Sequence, residues 1–212
     1  MNYIKLLTAA GAALLVTGCV NLLPETTPSS IYRLSSPEPS GVMVAGREVV
    51  RVDLPLAPRG LASDEIAISL QHGELAFIDG AKWIAPTPRL VQDLIIESID
   101  AFEPDLIAAR PEDGVRADYE LHTEIRSFEA VYRDGPDSAP IAVVRMRVRI
   151  VRLDDRSLLG IHAVGAQAQA RSNTVGDIVA AFDAAAQEMA SNISAWATLQ
   201  VEMYPVEDAG ED

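Results

Sequence analysis

Residues 144–150 read Val-Arg-Met-Arg-Val-Arg-Ile. Successive side chains of a β-strand point to opposite faces, so Val144, Met146, Val148 and Ile150 make an apolar side and Arg145, Arg147 and Arg149 a charged one. That alternation specifies a strand with one face in a core and the other in water. The flanking segments repeat it. Upstream, Tyr119, Leu121, Thr123 and Ile125 alternate with Glu120, His122, Glu124 and Arg126, and a phase slip at Ser127-Phe128 predicts a bulge. Asp134-Gly135-Pro136 is the turn between these two strands. Downstream, Asp154-Asp155 marks a second turn, and Leu158 to Ala170 form the returning strand.

A sheet with one apolar face needs a cover. Asn173 or Thr174 can cap a helix with Asp177 in its first turn. Val175, Ile178, Val179, Phe182, Ala186, Met189, Ile193 and Trp196 then fall at the three- and four-residue spacing of one buried stripe. A second helix follows Pro86 and Pro88, with Leu90, Val91, Leu94, Ile95, Ile99 and Phe102 on its apolar side and Pro104 closing it. Before it, Val49 to Leu54 reads as a strand ended by Pro55 and Pro58, and Ile66, Ile68 and Leu70 alternate with small residues. Leu75 to Ile78 and Lys82 to Ile84 flank turn signals at Gly73 and Asp79-Gly80. These elements predict a single α+β domain over residues 42–201, a mostly antiparallel sheet with two amphipathic helices on one face.

The N-terminus carries a different message. Lys5 precedes an uncharged run, LLTAAGAALLVT at 6–17, followed by Gly18 and Cys19. A basic start, an apolar run of roughly 7–15 residues and a small residue at the cut describe a secretory signal peptide, here residues 1–18, cleaved between Gly18 and Cys19. The run is too short for a bilayer core that takes ~20 apolar residues. Leu15-Val16-Thr17-Gly18-Cys19 resembles the lipobox of bacterial lipoproteins, in which a diacylglycerol group alkylates the thiol. Cys19 is the single cysteine of the chain, and it is the expected lipidation site. The residue after it is Val20 rather than the Asp that retains lipoproteins in the inner membrane of enteric bacteria, so the expected location is the periplasmic face of the outer membrane. Residues 19–41, with Pro24, Pro28, Pro37 and Pro39, read as a tether, interrupted by a short candidate first strand at 31–34. Residues 202–212 read as a solvated acidic tail.

Composition narrows the function. Against 17 Lys plus Arg stand 31 Asp plus Glu, a net charge of −14. Nucleic acid is excluded as the main partner, because phosphate binding needs a basic footprint. There is no G-x-S-x-G, Walker-type loop or G-x-G-x-x-G, and no cofactor motif. His72, His122 and His162 have no metal-type spacing and read as surface or hydrogen-bonded histidines. Hence no catalytic residue, cofactor or metal ligand is assigned. Trp83 and Trp196 read as core or edge packing. The row Arg145, Arg147 and Arg149 is the candidate contact for anionic lipid headgroups or an acidic partner. Its plainer explanation is cross-strand pairing with Glu120 and Glu124.

The order of these features resembles the ABC-type transport auxiliary lipoproteins, found beside MCE-domain (mammalian cell entry) transport systems. The resemblance rests on the lipobox Cys19, the Tyr32-Arg33-Leu34 strand, and Val50 to Val52 running into Pro55 and the Leu61 to Leu70 segment. It continues through Trp83 to Pro86 before a Leu-rich helix, then Leu121, Ile125 and Phe128, and a closing helix near Trp196. Pro88 departs from the pattern and shifts the helix start. The resemblance implies a non-enzymatic component of lipid or hydrophobic-solute trafficking, with an MCE-domain protein and its ABC permease and ATPase as partners. Self-association is left open. The alternative is a structural lipoprotein that scaffolds another envelope complex.

Overall fold

The computed structural model describes residues 29–37, 48–70, 73–103 and 105–205. Three long strands form its centre: β6 (Tyr119–Val131), β7 (Ile141–Arg152) and β8 (Leu158–Gln169), all antiparallel. The ladder register shifts between Ile125 and Ser127, which is the bulge that the phase slip predicts. Smaller strands extend the sheet beyond β6: β1 (Ser30–Tyr32), β2 (Glu48–Val52), β3 (Glu65–Ser69), β4 (Leu75–Trp83) and β5 (Leu106–Ala109).

The second side of β6 is shared between two branches. Its first residues pair in parallel with β2, Val50 against Tyr119 and Val52 against Leu121, and β2 carries β5. Its last residues pair in parallel with β3, Ile68 against Ala130. β3 pairs antiparallel with β4, and β4 carries β1 in parallel. The 8-stranded sheet is therefore mixed, with its longest ladders antiparallel.

Both helices lie on one face. α1 (Thr87–Phe102) starts with Pro88 in its first turn, where a missing N–H costs nothing. α2 (Val175–Met203) is capped by Thr174, whose hydroxyl accepts the Asp177 N–H at 3.4 Å. Under α2, the rings of Trp83, Phe128 and Phe182 meet with centroids 5.1–5.9 Å apart, two edge-on contacts and one stack. Full burial of such a side chain contributes about 1.5–3 kcal/mol. At the seam of the helices Ser98 and Ser194 face each other at 3.4 Å, and Gln92 donates to the Val52 carbonyl at 2.9 Å.

Four expectations change. Asp79-Gly80 is not a turn: β4 runs unbroken, and Gly80, at φ +69°, sits where the β3–β4 register slips. β5 is an additional strand, whereas the candidate first strand at 31–34 does join the sheet, as β1 over residues 30–32. Phe102, at the last position of α1, is 50 % exposed rather than buried. α2 runs to Met203, past the boundary of the acidic tail, and Tyr119 and Arg152 bind the carbonyls of Tyr204 and Pro205.

Candidate functional site

The open face of the meander holds the arginine row. Register sets Arg145 between Ser127 and Gly165, Arg147 between Glu124 and Ala163, and Arg149 between His122 and Ile161. Arg145 and Arg147 are exposed and Arg149 is half-buried. The expected pairing with Glu120 and Glu124 is not formed. Glu124 is bound by Arg126 at 3.0 Å, and Glu120 is bound by Arg51 and by His122. Both carboxylates are taken by cations nearer to hand. Among the described residues, the side chains of Arg145, Arg147 and Arg149 have no ion-pair or hydrogen-bond partner.

Arg145 and Arg147 border a shallow groove of about 900 Å³ whose lining includes Arg126, Ile161, Gly165 and Gln167. The β8 side of the groove is built from small or uncharged side chains. A β-carbon at Gly165 would stand 3.1 Å from the Arg145 Cγ, so the Arg145 stem lies against bare backbone. The chemistry on offer is a row of cations beside a neutral strand. Guanidinium groups suit carboxylates and phosphates, which they bind in a planar fork.

Beside the row lies a second cluster that spacing along the chain conceals. The parallel β2–β6 register brings Asp53 and Arg51 next to Glu120 and His122. His122 Nδ1 lies 2.9 Å from Asp53 Oδ2, and its Nε2 lies 3.2 Å from Glu120 Oε2. Burial raises the Asp53 pKa above its ordinary value, and the Glu120 charge adds to the rise. One ligand atom from each of Asp53, Glu120 and His122 lies within 4.8 Å of the others. Such a set has donors for a divalent cation, but Arg51 already neutralises Glu120 and both imidazole nitrogens face carboxylates. It is a compact polar network in which Arg51 is the permanent cation, and the structure places His122 at its half-buried centre.

The remaining sequence candidates within the described residues lie on the helix-covered side. His162 stacks on Trp196 with centroids 5.4 Å apart, and Trp83 is buried in the core. Gly18, Cys19 and His72 lie outside the described residues.

The family model of the ABC-type transport auxiliary lipoprotein component matches residues 32–194. The chain belongs to this family. The matched span opens at the last residue of β1 and closes inside α2, so it includes strands β2 to β8 and the arginine row. The fold is that of protein XCC0632 from Xanthomonas campestris, 21 % identical, with TM-score 0.73 over 82 % of this chain and 98 % of that one. The hypothetical protein CT253 from Chlamydia trachomatis is also similar, 12 % identical with TM-score 0.52, over 74 % of this chain and 98 % of that one. The sequence has no match among curated proteins. As an ABC-type transport auxiliary lipoprotein component, the chain is an accessory of a transport system in the cell envelope. No helix of the described residues is long and apolar enough to cross a membrane.

Proposed function

We propose that this auxiliary lipoprotein is held by acyl chains on Cys19 at the periplasmic face of the outer membrane. There it docks an MCE-type conduit for lipids or hydrophobic solutes, without catalysing a reaction. The observation that carries the reading is the family match across the folded body, joined to a signal sequence that ends at the sole cysteine. Each buried acyl CH₂ contributes about 0.8 kcal/mol, and two or more chains give a stable anchor. Residues 20–29 between Cys19 and β1 span at most about 35 Å at ~3.5 Å per residue, which keeps the body close to the membrane surface. The role of the protein's own residues is positional: a lipid anchor fixes the body, and the body offers a surface.

Affinity purification of the lipidated full chain from its native envelope tests this reading. The MCE-domain protein, with its permease and ATPase, is expected to travel with it, less so as salt rises, since charges are screened over ~8 Å at physiological ionic strength. Recovery of a different envelope assembly, with the MCE protein absent at low and high salt, would move the chain to the scaffold role. Intact mass is expected to show loss of residues 1–18 and an acylated Cys19; a Cys19→Ala chain that stays membrane-bound without detergent would remove the anchor from the account.

A further inference from the structure

The sheet has one long unprotected edge. β1 and β5, which end the two branches, are short strands of 3 and 4 residues. β8 has 12 residues and, among the described residues, pairs with β7 alone. Its sequence from Leu158 to Gln169 contains no Pro, Lys, Arg, Asp or Glu. Edge strands are normally guarded by such residues, because their free N–H and C=O groups otherwise recruit another strand. Here the guard is missing from β8, and cations stand one strand further in.

The side chains on the open face join these two features. Arg145 lies against Gly165, and Arg147 stands opposite Ala163, so little rises from β8 between these arginines and the free edge. Alternate residues on a strand are ~6.6–6.8 Å apart. Carboxylates at every second position of an extended peptide have that same spacing. We propose that the open face of β7 and β8 is a docking site for an extended acidic segment of a partner protein. The segment adds to the free edge of β8 as a further strand and sets alternate carboxylates against Arg145 and Arg147.

A protein segment fits this surface better than a membrane. A lipid headgroup would take the guanidinium groups but leave the edge N–H and C=O groups of β8 without partners, whereas a strand satisfies both. The described part of the chain ends, at Tyr204 and Pro205, on the other side. Tyr119 and Arg152, which bind the Tyr204 and Pro205 carbonyls, sit in register on the helix-covered face. The inference deepens the docking role and rests on it for the partner's place in the envelope.

The test uses the full chain in detergent micelles and two fluorescent ten-residue peptides of one composition. One has Glu at every second position with Thr and Val between; the other has its Glu residues in one block. The alternating peptide is expected to bind at least tenfold more tightly, and the Arg145→Ala/Arg147→Ala double variant to weaken it at least tenfold with an unchanged melting profile. Amide exchange along Ile161–Gln167 is expected to slow on binding. Equal binding of the two peptides, or unchanged exchange in β8, would overturn strand addition. Uptake by phosphatidylglycerol vesicles through the same arginines, with no peptide binding, would assign the face to lipid. Binding that emerges only after removal of residues 206–212 would assign it to the chain's own tail. The peptide assay contains no MCE protein. Lost peptide binding with intact co-purification therefore displaces the interface alone, and the reverse pattern displaces the docking role.

Discussion

The two faces of β7 differ by a single residue step and by everything that follows from it. Val144, Met146, Val148 and Ile150 lie beneath the helices at no more than 2 % exposure. Arg145, Arg147 and Arg149, their immediate neighbours, stand on the open face without partners among the described residues. The period of two has separated the part of the strand that holds the fold from the part that is free to meet something else. On the covered face each side chain is fixed by its neighbours' shapes. On the open face the nearest carboxylates are engaged by other cations, so the row keeps its charge for use elsewhere.

The sharpest way to break this contrast is to empty the covered face. Phe182 has no exposed surface and is wedged between Trp83 and Phe128. Phe182→Ala is expected to lower stability by about 3–5 kcal/mol, measured by denaturant unfolding. A loss below about 1 kcal/mol would mean that α2 does not pack as described. A smaller effect belongs to the start of α2. Thr174→Ala removes the hydroxyl that accepts the Asp177 N–H, and a loss of about 1 kcal/mol is expected. An unchanged midpoint would show that Asn173 or Ser172 supplies the cap instead.

The smallest effect is a difference in titration. Ser172 and Arg171 bind the Asp177 carboxylate and lower its pKa, whereas burial raises that of Asp53. Carboxyl NMR is therefore expected to show Asp177 titrating below, and Asp53 above, the ordinary Asp value of about 3.9. The signs for stability are opposite. Asp177 contributes above its unfolded pKa and loses that contribution as pH falls through its lower folded value. Asp53 takes up its proton more readily when folded, so acidification through its raised folded pKa favours the native state. A single shared midpoint would remove the distinction between the two sites.

Much of the covered face was legible because burial leaves a periodic trace. The alternation in β6 and β7, the slip that marks the bulge and the stripe of α2 all follow from which side chains meet the core. Gly80 misled because a glycine with positive φ serves a bulge as well as a turn. β5 was missed because Leu-Ile-Ala-Ala is a short apolar run without alternation, and its parallel partner β2 lies far back in the chain. The open face was legible as a row of arginines but not as an unpaired row. Local spacing puts Glu124 opposite Arg147, yet it cannot reveal that Arg126 holds Glu124 or that β2 delivers Arg51 to Glu120. The Asp53–Glu120–His122 network is hidden for the same reason, since a parallel pairing across many residues assembles it.

The division of labour between the faces meets its most direct test in one double variant, Arg145→Ala/Arg147→Ala, introduced into the lipidated chain. Two readings are taken together: unfolding stability, and recovery from the envelope of the MCE-domain protein proposed as its partner. The account predicts stability within about 0.5 kcal/mol of the parent, as for surface positions, and at least a tenfold loss of partner. Full partner recovery from the stable variant would contradict it.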